Sequence, residues 1–170
     1  MSLATLWMVD QLAPGGAAYN VWVCVRLQGA VDPRALERTL AAIVARHESL
    51  RTVFEANGGE PRQRIEPYRG LMLPVVDLSS LPAGELRRES DRLERESACR
   101  PFDLSCGPLL RVLLLLQGPE RSELVVVMHH IISDGWSMKR KTTPCTVCFP
   151  NGTITRCPGP ISPASDSGRA

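Results

Sequence analysis

Leu124-Val125-Val126-Val127-Met128-His129-His130-Ile131-Ile132-Ser133-Asp134-Gly135-Trp136-Ser137 is the stretch on which the reading of this chain turns. Leu124 to Met128 is an unbroken apolar run, short enough for a buried strand. It delivers two adjacent histidines. If the strand continues through both, its period of two sends them to opposite faces, so they do not readily share a metal ion. Asp134-Gly135 then makes a tight turn, and Trp136-Ser137-Met138 reads as the start of a helix. An imidazole with an ordinary pKa of about 6.5 can accept or donate a proton near neutrality. An aspartate four residues on can fix the turn or pair with an arginine, and glycine permits close approach of a backbone or a substrate. On spacing alone, ordinary strand-end histidines bonded to backbone satisfy so short a pattern equally well.

Working upstream, Leu109 to Leu116 is a second buried strand, turned back by Gln117-Gly118-Pro119. Pro82 to about Cys99 is densely charged, with Leu86 and Leu93 on its inner side. Arg87 with Asp91, and Asp91 with Arg95, sit four apart, as on a solvated amphipathic helix. Leu71 to Leu78 reads as a short strand that Pro74 confines to an edge or a bulge. Asn57-Gly58-Gly59 is a hairpin turn between Thr52-Val53-Phe54 and Gln63-Arg64-Ile65. Asp32-Pro33 supplies an N-cap and a first-turn proline. The helix that follows sets Leu36, Leu40, Ile43, Val44 and His47 on one face and ends near Leu50. Tyr19 to Leu27 alternates as a half-buried strand, with Val21, Val23, Val25 and Leu27 opposite Asn20, Trp22, Cys24 and Arg26. The elements predict an α/β fold, an α+β two-layer sandwich in which helices pack on a mixed sheet.

Composition narrows the function classes. A formal net charge of +2 gives no reason to expect nucleic-acid binding or attachment to an anionic membrane. Arg111 and Glu123 interrupt the most hydrophobic region well short of the roughly 20 residues that span a bilayer. The first residues lack a basic n-region and meet Asp10 early, unlike a secretory signal, so the expected location is cytoplasmic. Six cysteines are present. Cys24 lies within a strand pattern, Cys99 and Cys106 flank a Pro-Phe-Asp turn, and Cys145 and Cys148 form a lone C-x-x-C with no histidine nearby. No metal site is expected from them.

Residue usage breaks after Met138. No lysine occurs before it; Lys139-Arg140-Lys141 then opens a tail with Pro144, Pro150, Pro158, Pro160 and Pro163, three cysteines and one acid, Asp166. The expectation is a domain over residues 1–138 and a disordered or aberrant Pro/Cys-rich tail over 139–170, with two readings open: a linker, or a shift of reading frame near codon 138.

Three segments carry a family resemblance. Met128 to Ser137 resembles the core motif of nonribosomal peptide synthetase condensation domains along its full length. Arg46-His47-Glu48-Ser49-Leu50-Arg51-Thr52-Val53-Phe54 resembles the second family motif. Leu6-Trp7-Met8-Val9-Asp10-Gln11-Leu12 with Tyr19-Asn20 resembles the first, without its usual upstream residues. The resemblance covers roughly residues 3 to 138. It implies the N-terminal lobe of a chloramphenicol acetyltransferase-like fold, in which two lobes enclose a tunnel. It also implies that substrates arrive on the phosphopantetheine arms of peptidyl carrier domains, beside adenylation domains, with no cofactor of the chain's own. The position of His130 matches the family's catalytic histidine. His129 and Asp134 match structural positions, Asp134 held by an arginine for which Arg46 and Arg51 are candidates, and Gly135 keeps the tunnel open.

The reaction so implied joins a carrier-bound thioester to a carrier-bound amine, with His130 as general base or as hydrogen-bond donor to the tetrahedral intermediate. The second lobe lies outside the resemblance, so this chain alone is expected to be inactive and to expose an apolar interface. Two other readings compete with amide formation. One is an O-acyltransferase of the same superfamily, which shares His-x-x-x-Asp-Gly; the other is a non-catalytic remnant of a broken gene.

Overall fold

The computed structural model describes residues 3–12, 15–132, 147–149 and 152–156. Its elements are α1 (Leu3–Leu12), β1 (Asn20–Gln28), α2 (Pro33–Arg46), β2 (Thr52–Asn57), β3 (Glu60–Ile65), β4 (Val75–Asp77), α3 (Ala83–Cys99), β5 (Leu110–Gly118), β6 (Arg121–His129), β7 (Val147–Phe149) and β8 (Gly152–Arg156). Single turns of 3-10 helix at Glu48–Arg51 and His130–Ile132 close α2 and β6.

Two long apolar runs pair as the β5–β6 hairpin, from Leu110 opposite Met128 to Gly118 opposite Arg121. β1 then lies antiparallel to β6 along its whole length, Asn20 opposite His129 and Gln28 opposite Arg121. The sheet order is β4-β5-β6-β1-β8-β7, with β2 and β3 as a separate hairpin. β4 runs parallel to β5 at the edge. It begins directly after Pro74, whose carbonyl accepts from Leu114 N–H at 2.9 Å. That is where a residue without a donor is tolerated.

Each face of the sheet carries its own core. Leu36 and Leu40 of α2 pack with Leu27, Val112, Leu114 and Leu124 on one side. On the other side Leu6 and Trp7 of α1 and Leu86 and Leu93 of α3 pack with Cys24, Leu115, Val125 and Val127. β5 and β6 are therefore covered on both faces, which is why they read as continuous rather than alternating. The same geometry corrects the half-buried reading of β1, because Trp22 and Cys24 meet one core and Val25 and Leu27 the other.

The local signals largely hold. Asp32 Oδ1 accepts from Arg34 N–H at 2.9 Å, with Pro33 in the first turn of α2. Gly58 and Gly59 have φ of 62° and 90°, which a two-residue hairpin loop requires of both its central residues. α2 stops at Arg46 rather than near Leu50. His47 is extended and its N–H closes the helix on Ile43 O; Ile43, inside the helix, and His47, after it, are both exposed rather than on the buried face.

Two strands also occur where a disordered or aberrant tail was expected. β8 joins the free edge of β1, Leu27 opposite Ile154 and Val25 opposite Arg156, and β7 pairs with β8. An unpaired strand edge offers backbone donors and acceptors, and the β-branched Thr153-Ile154-Thr155 suits an extended chain. The rest of 139–170 lies outside the described residues.

Candidate active site

The β6 strand ends on His129, and His130 opens the 3-10 turn. The strand therefore does not run through both histidines, as a continuous period of two would require. Their environments nevertheless differ. His129 is 2 % exposed, whereas His130 is partly exposed.

Backbone bonds fix the junction. His129 N–H donates to Leu109 O at 3.1 Å and His130 N–H to Tyr19 O at 2.8 Å, so β6 is gripped from both neighbours. The His129 ring lies between Tyr19, with centroids 6.3 Å apart, and Phe102, which it meets at 6.4 Å and 83°. Its Nδ1 accepts the Ile131 N–H at 3.2 Å. Burial, and next the charge of neighbouring His130, push the His129 pKa down to about 4 from 6.5. The ring is thus neutral at pH 7, with its proton on Nε2, and Nδ1 is free to hold the turn that begins at His130. α1 lies against this turn, and Ile131 shares a core with Leu6 and Trp7.

A polar corner flanks the histidines. Asn20 Nδ2 donates to Ala98 O at 2.7 Å and Arg100 O at 2.9 Å, tying β1 to the end of α3. Arg111 donates to Arg100 O and Pro101 O and lies 3.7 Å over the Phe102 ring. In the sequence Arg111 only broke an apolar run. The signal was available, because a charge inside a strand that is otherwise apolar must find acceptors.

Of the two arginines expected beside Asp134, Arg51 donates through Nε to Val44 O at 3.2 Å and through its terminal nitrogen to Glu66 O. Arg46 is exposed and lines a shallow groove along α2 with Arg38, Ile43 and His47. Asp134 and Gly135 lie outside the described residues, so their placement beside either arginine is not described. The structure brings His129 and His130 together and sets neither arginine in the ring contacts or hydrogen bonds around His129.

Among the described residues, one trio places potential metal ligands within 4.8 Å of one another: Cys24, Glu94 and Glu123, beneath α3. Glu123 already accepts from Arg26 Nε at 3.2 Å and Gln117 Nε2 at 2.6 Å, and Gln117 also reaches Ser90 Oγ at 3.1 Å. This trio belongs to a network that docks α3 on the sheet.

The fold and this histidine turn define a class. A condensation-domain family model matches residues 4–140, and the chain belongs to that family. It is 47 % identical over 133 residues to a linear gramicidin synthase of Brevibacillus parabrevis, covering 78 % of this chain and 2 % of that protein. It is 45 % identical over 133 residues to phosphinothricin tripeptide synthetase PhsC of Streptomyces viridochromogenes, covering 78 % of this chain and 12 % of that protein. Among solved structures, it superposes on the first condensation domain of the calcium-dependent antibiotic synthetase, in complex with a substrate analogue, at a TM-score of 0.71. Identity there is 30 %, with 80 % of this chain and 33 % of that one covered. The starter condensation domain of rhizomide synthetase RzmA gives a TM-score of 0.71 at 26 % identity, covering 81 % and 33 %. The chain thus spans about a third of the solved condensation-domain chains and a small part of the synthetases. No described helix is long and apolar enough to cross a membrane.

Proposed function

We propose that this chain supplies the histidine-bearing lobe of a condensation domain that forms an amide from a carrier-bound aminoacyl or peptidyl thioester and a carrier-bound amine. The observation that carries the reading is the pairing of a buried, neutral His129 with a partly exposed His130 one residue on, within a segment that matches the family. A free α-amine has a pKa of about 7.7 to 8.0 and must lose a proton to attack a thioester. His130 takes that proton, or donates to the oxyanion of the tetrahedral intermediate. His129, Asp134, Gly135 and one of Arg46 and Arg51 shape the surroundings. The substrates come on phosphopantetheine arms of peptidyl carrier domains next to adenylation domains.

The exposed apolar residues fit a lobe that meets a second one. Met8 and Leu12 on α1 and Ile65 on β3 are 58 %, 84 % and 51 % exposed, and α1 touches both β3 and the histidine turn. The family match ends at residue 140, beside the break in composition after Met138. The coincidence marks a boundary in residue usage, while β8 beyond it pairs with β1 in the sheet of the lobe.

The test uses donor- and acceptor-loaded carriers with mass-spectrometric detection of product. The chain alone is expected to give none. The same residues 4–140, exchanged into a relative's complete condensation domain, are expected to give the amide. A hydroxyl acceptor accepted in preference to the amine would replace this reading with ester formation.

A further inference from the structure

Three elements meet at one guanidinium. Arg111, near the start of β5, donates to the carbonyls of Arg100 and Pro101, the first residues after α3. Its charge lies 3.7 Å from the centre of the Phe102 ring, and that ring presents itself edge-to-face to His129. The Arg100 carbonyl also accepts from Asn20 Nδ2, so β1 and β5 hold one carbonyl from two sides. The Phe102 backbone continues into Leu104, whose carbonyl accepts from Phe54 N–H at 2.8 Å.

We propose that Arg111 is a positioning residue for the histidine turn: it fixes the Arg100–Phe102 corner, and with it the ring that walls His129 and keeps the His129 Nδ1 on the Ile131 amide. The proposal rests on the reading of His130 as the reacting imidazole, which this turn carries. A guanidinium suits the place because it is planar, able to stack on a ring while its edge bonds carbonyls; an ammonium is a point charge that does one or the other. A charge within the apolar run Leu109–Leu116 is costly unless answered. The acceptors that answer it are these two carbonyls and the Phe102 face, while its Nε, buried, has no hydrogen-bond partner among the described residues. Burial, and then the charge of Arg100, lower its pKa, in keeping with a guanidinium drawn inside to make these contacts.

The test is nuclear magnetic resonance on this chain, reading the pH at which the His129 ring titrates and the exchange protection of the Ile131 amide. Arg111→Met is expected to raise the His129 titration by about one pH unit, a tenfold change in proton affinity, and to lower Ile131 protection by a similar factor. Arg111→Lys, which keeps the charge, is expected to shift both part of the way. Gln117→Met loosens the opposite part of the α3 contact and serves as the control. It should lower the unfolding midpoint and leave both readings unchanged. A folded Arg111→Lys or Arg111→Met chain with native His129 titration overturns the proposal, as does an equal shift in Gln117→Met. Both readings concern the turn alone, so their failure is distinct from a failure to form amide, which is tested on His130.

Discussion

Glu123 and His129 stand six residues apart on the same face of β6, both almost without solvent contact at 1 % and 2 % exposure, and the fold accommodates them in opposite ways. Glu123 has its counter-charge brought to it, with the Arg26 guanidinium 3.2 Å away and the Gln117 amide at 2.6 Å. His129 has no carboxylate among its ring contacts and hydrogen bonds. It is buried by giving up its charge, and its bare nitrogen then becomes useful as an acceptor for the Ile131 N–H. A buried carboxylate needs a partner, whereas an imidazole needs only surroundings that favour its neutral form. One end of the strand thus serves to dock α3, and the other presents a turn carrying a second imidazole.

The largest stability effect should come from the end that depends on compensation. Arg26→Met leaves Glu123 buried without its guanidinium. It should cost about 3 kcal/mol in urea unfolding at pH 7, the low end for breaking a buried pair, because Arg26 is itself 44 % exposed. A loss below about 1 kcal/mol would mean that the pair does not set the cost of burying Glu123.

The other end should respond to pH instead. An unfolded imidazole takes up a proton near 6.5, whereas His129 in the folded chain resists until about 4. Its contribution is therefore complete above about pH 6.5 and declines as the pH falls toward 4, by up to about 1.4 kcal/mol per unit. His129→Asn, with no group titrating there, should lose less stability than the parent across that window. It should also be weaker by about 1 kcal/mol at pH 7, from the altered bond to Ile131. Identical slopes for parent and variant would show that His129 is not buried neutral.

The smallest effect should come from the exposed side of α3. Arg92 pairs with Glu89 and Glu96 at 2.7 Å each, yet all three carboxylate and guanidinium groups are solvated. Arg92→Ala should leave the urea midpoint unmoved within measurement scatter, since exposed pairs contribute little. A clear drop would remove the distinction between compensated burial and surface pairing.

Legibility in the sequence followed how local each cause was. The β2–β3 turn, the cap of α2, the confinement of Pro74 to an edge strand and the amphipathic α3 each depend on a few neighbouring residues, and each was readable. The second face of β1 was not, because Trp22 and Cys24 are covered by α1 and α3, which arrive from distant parts of the chain. The end of β6 at His129 escaped for a related reason: the 3-10 turn depends on Ile131 finding the His129 ring after the strand has stopped. Arg111 and Glu123 were visible only as interruptions of apolar runs. Their partners, the Arg100 and Pro101 carbonyls and Arg26, are fixed by the folded sheet. The strands at 147–149 and 152–156 follow from the open edge of β1, which no local pattern announces.

The most direct measurement compares amide formation by His130→Ala with that by its parent, both with residues 4–140 exchanged into a complete condensation domain and both supplied with loaded carriers. With circular dichroism unchanged, the rate should fall roughly 10²- to 10⁴-fold, the usual contribution of a positioned proton acceptor. A well-folded His130→Ala protein that joins its substrates within about tenfold of the parental rate would contradict the account.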